Sequence, residues 1–391
     1  MSQLLNERWS ETKEALLEGL SGTRKASMSV CLENTRRHLA ESASAGATSA
    51  GNIATLNRVI LPVIRRVMPT VIANEIVGVQ PMTGPVAQIH TLRVRYADNG
   101  NNVVAGEEAL SPFKIAAAYS GNDVDSAPKA NSTAAMEGTP GRRMSIQILK
   151  SPVEAKSRKL SARWTFEAAQ DAQAQQGIDI EAEIMAALAQ EITTEIDQEI
   201  LASLRSLASV EETYDQSLVS GTATFVGDEL AALAIQINRV ANKIAQRTRR
   251  GAGNWAVVSN QALTILQSAT TSAFARTTEG TFEAPTNTKF VGTLNGAMRI
   301  YVDAYRPDED EDNQVLIGYK GASEADAAAF YCPYIPLMSS GVVLDPTTFE
   351  PVVGFLTRYG YVELTNTASS LGNAADYLGK VKIVQANVSF K

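Results

Sequence analysis

GYKGASEADAAAFYCPYIPLMSSGVVLDPTTFEPVVGFLTRYG, residues 318–360, decides how this chain is read. It opens at the end of an apolar run, Val315 to Tyr319, that predicts a strand, and it closes on Phe355 to Tyr361, which predicts another. The prolines and aromatics between them (Tyr331, Pro333, Tyr334, Pro336) are expected to pack a turn. None of its short pieces is rare alone. Their order and spacing from Gly318 to Gly360 are hard to produce by chance.

The totals narrow the field. With 391 residues there is room for two or three packed regions and a sizeable core. A hydrophobic content of 45% with 20% charged residues is ordinary for a soluble globular protein. The net charge of −7 and pI near 5.2 argue against a dedicated nucleic-acid binder, which would carry a basic face. Cys31 and Cys332 stand in no metal-ligand spacing; two free thiols are favoured over a disulfide. No run reaches the ~18 apolar residues of a membrane span, and the N-terminus mixes acids and bases among its leucines, unlike a signal peptide. The expectation is a soluble chain, made and retained in a cytoplasm.

Catalytic apparatus is missing from the sequence. The two histidines, His38 and His90, lie beside no nucleophile motif. No HExxH, CxxC or Walker-type loop occurs, and the acidic clusters lack calcium-loop spacing. Gly251-Ala252-Gly253 follows a helix and precedes a strand, the reverse of a dinucleotide fingerprint. No catalytic, metal or cofactor-binding residue is assigned, and no cofactor is expected.

Along the chain, residues 1–41 read as a separate helical arm, with Trp9, Leu16 and Leu20 at helical spacing and a second weak helix around Leu32–Leu39. SASAGATSAG, residues 42–51, reads as a linker. Pro62 to Pro69 is an apolar helix-like run bounded by prolines, followed by Ile76 to Pro85, a short strand closed by a Gly-Pro turn. Ile89–Tyr96 alternates as a strand does, and a matching alternation returns at Leu160, Ala162, Trp164 and Phe166. The long Ala/Gly/Asn/Ser-rich stretch between them suggests a hairpin reaching outwards. From Ile180 to Leu204 isoleucines and leucines recur every four residues, a stripe that winds round a helix of about 28 residues, on the order of 42 Å long. Residues 228–250 form a shorter amphipathic helix ending in Arg247, Arg249 and Arg250, where cations complement the dipole; capping is favoured over a DNA-facing role. Strands follow at Trp255–Val258, Arg299–Asp303, Val315–Tyr319 and Val381–Phe390, with a short helix at Leu263–Leu266 and a solvated acidic turn at residues 307–312.

The quoted segment resembles the C-terminal signature of the major capsid proteins of T-even-type, contractile-tailed bacteriophages. The resemblance lies in Gly318-Tyr319-Lys320-Gly321, Glu324, Asp326-Ala327, Tyr331-Cys332-Pro333-Tyr334, Asp345-Pro346, Gly354-Phe355 and Thr357-Arg358-Tyr359-Gly360. Pro62–Pro69, Ile76–Pro85, residues 154–160 (EAKSRKL) and residues 168–171 (AAQD) are similar to the same family. It implies an α+β fold of the Hong Kong 97 type. Residues 1–51 would be the N-terminal arm and linker, and 52–88 the first part of the peripheral domain. Residues 89–166 would be the extended loop, 167–224 the second peripheral part with its spine helix, 225–340 the axial domain and 341–391 the last peripheral part. The extra domain that relatives insert in the loop has no room here.

By the same resemblance the chain is a shell protein of the virion, assembled in a bacterial host cytoplasm. Its partners would be itself, in hexamers with pentamers left open, and portal, scaffold and decoration proteins. It would enclose double-stranded DNA without sequence-specific binding, an acidic inner wall letting the DNA slide, and would touch no membrane. A related vertex protein and a soluble α+β enzyme are the alternatives. Relatives are cut after Glu in a Leu/Ile-X-Glu context, which Leu39-Ala40-Glu41 and Leu16-Leu17-Glu18 match. Candidate intersubunit contacts are basic on the hairpin (Arg93, Arg95, Arg142, Arg143, Lys156, Arg158, Lys159, Arg163) and acidic on the long helix (Glu183, Glu191, Glu195, Glu199). Opposite charge at such a seam would set register between subunits; a simple solvated helix face is the other reading.

Overall fold

A computed structural model describes residues 9–10, 13–17, 20, 22–44, 72–100, 103–107, 109, 119–121, 130–138, 140–176, 179–215, 226–248, 250–268, 274–276, 289–305, 313–324, 326–348, 350–364 and 374–384. Helices and strands alternate in an α+β arrangement, and the chain divides into two compact units. The first is Met1–Ala87, Val153–Ser203 and Ala329–Val362; the second is Gln88–Pro152, Leu204–Ala328 and Glu363–Lys391. The expected Pro62–Pro69 run, the acidic turn at 307–312, Arg249 and residues 385–390 lie outside the described residues.

The first unit is built on a sheet. Strand β1 (Gly78–Val79) runs parallel to β11 (Ala329–Ser339), which neighbours β13 (Pro351–Glu363) and then β12 (Val343–Leu344). Strand β4 (Lys156–Arg163) pairs antiparallel with β13, from Lys156 opposite Tyr359 to Arg163 opposite Val352. Helix α1 (Gly22–Ser44) packs on β11. Met28, Cys31 and Leu32 are buried there, and the Asn34 amide donates to the carbonyls of Met82 (2.7 Å) and Tyr334 (3.1 Å). One helix therefore replaces the weak one expected at Leu32–Leu39, and it continues through the first residues of the presumed linker. Small residues that bury little can still extend a helix already anchored by Met28, Leu32 and Asn34.

Helices α2 (Phe166–Gln176) and α3 (Ile180–Leu207) follow β4. At 28 residues, α3 has the expected length. Ile180, Ile184 and Leu188 are half-buried, while Ile192, Ile196, Ile200 and Leu204 are buried, as a winding stripe requires.

In the second unit seven strands follow the order β5 (Val210–Asp215), β14 (Leu378–Val384), β10 (Gln314–Gly318), β6 (Trp255–Val258), β9 (Met298–Val302), β8 (Lys289–Leu294) and β7 (Phe274–Arg276). Helices α4 (Val226–Thr248) and α5 (Asn260–Ser268) cover it, with Ile237, Val240 and Ile244 of α4 buried on Val258, Ile300, Val315 and Val381. The arginines ending α4 form ion pairs, Arg247 with Glu211 and Arg250 with Asp326, rather than serving only the helix dipole.

The hairpin differs from the expected one. Strand β2 (Val86–Tyr96) pairs with β3 (Met144–Glu154), and residues 156–163, read as the return strand, belong to the first unit's sheet. Trp164 lies outside any strand and Phe166 begins α2. The alternation at Leu160 and Ala162 is real, but it reports burial on a different partner. Tyr96, Val103, Ala109 and Tyr119 form a small separate core at the hairpin's end.

Candidate assembly surface

Antiparallel pairing with β13 sets the faces of β4. Lys156, Arg158, Leu160 and Ala162 share one face, Ser157, Lys159, Ser161 and Arg163 the other. Arg158 donates from Nη1 to Glu195 (2.7 Å), from Nη2 to Glu199, and from Nε to the Tyr359 hydroxyl (2.6 Å), while Tyr359 donates to Glu199. Glu195 and Glu199 lie one turn apart on α3, so a single guanidinium fork reaches both. Partial burial opposes both charges, yet the hydrogen bonds prevail. Glu199 is held below the usual carboxylate range and Arg158 above the usual guanidinium one. The basic-strand to acidic-helix contact expected between subunits is thus made by Arg158 within one chain.

The other charges are distributed differently. Lys156, Lys159 and Arg163 are exposed on β4, and Glu183 and Glu191 are exposed on α3. Asp197, also on α3, is buried at 5% exposure and accepts the Ile72 backbone N–H at 2.9 Å. On the hairpin Arg143 pairs with Asp98 at 3.1 Å, and Arg142 lies 5.7 Å over the Tyr119 ring. Arg95 is half-buried on β2; Arg93 is on the same strand, its side chain outside the description. Glu41 lies within the final turns of α1, so the bond after it is helical rather than extended, and Glu18 is outside the described residues.

Sequence reading missed an exposed apolar stripe. Met144, Ile146 and Ile148 alternate along β3 and are 53%, 68% and 60% exposed. Their period-two pattern was visible. It follows directly on a Gly/Asn/Ser-rich stretch and points to solvent, so it resembled loop rather than half-buried strand.

The signature segment is occupied with internal packing. A Cβ at Gly318 would run into the Trp255 ring, and one at Gly360 into Val153. Tyr319 stacks on Tyr377 at 6.3 Å, Tyr331 tilts against Tyr359 at 5.5 Å, and Arg358 lies 5.3 Å over Tyr334. The Asn254 side chain bonds both backbone groups of Lys320, at 2.6 and 3.0 Å. Tyr331 to Pro336 lie within β11 rather than in a turn. Pro333 is tolerated because its missing N–H would face the β1 side, where β1 has already ended at Val79 and the Met82 N–H meets the Pro333 carbonyl at 3.0 Å.

Among the described residues no three His, Cys, Asp or Glu side chains are grouped to hold a metal ion, and no helix is long and apolar enough to cross a membrane. Burial pushes the Cys31 and Cys332 thiols up to about 12, so neither is a ready nucleophile.

The family described as "Major capsid protein Gp23" matches residues 53–383. The major capsid protein of Vibrio phage KVP40 is 29% identical over 422 residues, covering 84% of this chain and 80% of its own. That of Enterobacteria phage T4 is 29% identical over 409 residues, covering 81% and 77%. A solved structure from Mycobacterium phage Che8 aligns with 76% of this chain and 84% of its own at 15% identity and a TM-score of 0.44.

Proposed function

The chain belongs to the Gp23 family of major capsid proteins, and from that premise we propose how its copies close a shell. Subunits form hexameric capsomers, and each β2–β3 hairpin lies over a neighbouring subunit. The observation that carries this reading is the exposed stripe Met144, Ile146 and Ile148 on a two-stranded hairpin. Each of these side chains is 53–68% exposed, so leaving the row in water forgoes roughly 1–2 kcal/mol per side chain. A hairpin of two strands is also marginal without a surface beneath it. Interfaces of this kind are obligate and bury roughly 2,000 Å² or more.

Charge sets the register of this contact. The exposed charges Lys156 on β4 and Glu183 and Glu191 on α3 take part in it, while Arg158 keeps its own partners. The net charge of −7 leaves the enclosed double-stranded DNA unbound to the wall. Assembly takes place in the host cytoplasm, with portal, scaffold and decoration proteins as further partners. The test is electron microscopy of the purified chain beside an Ile146→Asn/Ile148→Asn variant. Closed shells or capsomers are expected from the first, and folded subunits without shells from the second. Shells of ordinary yield from the variant would refute the stripe's role.

A further inference from the structure

Helix α2 is a helix with almost nothing to rest on. Of its described side chains only Ala169 is half-buried; all others are exposed, including Phe166 at 49%. The Thr165 hydroxyl caps it at the Ala168 N–H, 3.3 Å away. A helix of 11 residues with no packed face is shorter than the ~12–15 residues that are marginal in water. Phe166, Glu167, Gln170, Asp171 and Ala174 fall within an arc of about 140° at 100° per residue. One side of α2 thus presents an aromatic ring beside two carboxylates, and from Trp164 to Leu204 the chain has no lysine or arginine.

A surface of opposite character lies in the same unit. The open face of the first unit's sheet has a groove of about 420 Å³, lined among others by Lys159, Ser161, Met338, Ser340, Gly354 and Leu356. Gly354 and the serines keep its floor low, Leu356 and Met338 make it apolar, and Lys159 with Arg163 sets cations along the same face of β4. In its own chain Phe166 is 49% exposed and does not line the groove. An acidic, aromatic knob and a basic, apolar groove on one chain are a heterologous pair, the kind that closes rings when copies associate by rotation.

We infer that α2 is a docking helix that seats in the β4–β13 groove of a second copy. Phe166 lies on Leu356 and Met338, and Glu167 and Asp171 face Lys159 and Arg163. The inference rests on the shell reading for the association of copies, and it names one contact within that association.

Two measurements test it. In wild-type protein, backbone hydrogen exchange over residues 166–176 is expected to be fast in the free chain and at least ~100-fold slower in assembled particles. Equal exchange in both states would overturn the inference without any variant. Phe166→Ser, Lys159→Glu and the pair Glu167→Lys/Asp171→Lys are each expected to lower shell yield about tenfold or more, with subunit melting unchanged. Combining Lys159→Glu with Glu167→Lys/Asp171→Lys is expected to restore assembly, and failure to do so would refute the charge pairing. Wild-type yields from the single changes would remove the α2 contact and leave the capsid reading intact. A wild-type chain that forms neither capsomers nor shells would remove both.

Discussion

Replacing Arg205 with methionine should destabilise the second unit more than any single surface change. Arg205 sits in the last turn of α3, and its Nη2 is 2.6 Å from Oδ2 of Asp303. The Asp303 side chain is 0% exposed and that of Arg205 only 11%, so solvent screens the pair little. The other carboxylate oxygen accepts the Tyr305 backbone N–H, at 3.2 Å. Methionine fills much of the arginine's volume but leaves a buried carboxylate without its cation. Breaking a buried pair in this way costs about 3–5 kcal/mol, whereas removing both charges is often near neutral. For a unit of this size that is a fall of roughly 6–20 °C in melting temperature. Calorimetry and urea denaturation of the soluble, unassembled chain would measure it. The double variant Arg205→Met/Asp303→Asn, which keeps an acceptor for Tyr305, should recover more than half the loss. A single-variant loss below about 1 kcal/mol, or no recovery in the double variant, would show that the pair is not the anchor described.

Three further outcomes follow from the same geometry. Glu199 has a depressed value in the folded chain, so its contribution is present above the ordinary carboxylate value and is lost as pH falls through the folded one. Protection factors of the β4 amides, corrected for intrinsic exchange, should therefore fall as pH drops below the ordinary carboxylate range, and Glu199→Gln should flatten that pH dependence. Asn34→Leu leaves the Met82 and Tyr334 carbonyls without their donor, costing about 1–3 kcal/mol and freeing α1 to limited proteolysis, read by mass spectrometry. Gly318→Ala drives a methyl into the Trp255 ring and should cost roughly 1–3 kcal/mol, visible as a lowered melting temperature with quenched or shifted tryptophan emission.

The sequence by itself determined the family and the long elements. The stripe from Ile180 to Leu204 gave α3 its length because a helical period repeated over many turns has few other readings. The signature residues were distinctive because they meet tight local demands, such as Gly318 under Trp255 and Asn254 on the Lys320 backbone. Only the tertiary structure decided which strands pair and which charges are already satisfied. Alternation at Leu160 and Ala162 says that one face is buried, not that β13 rather than β2 lies alongside. Likewise Arg158, Lys159 and Arg163 look alike along the chain. Opposite faces of one strand leave the first clasped to α3 and the other two facing outwards, because a strand alternates its side chains and the sequence does not say which face meets a neighbour.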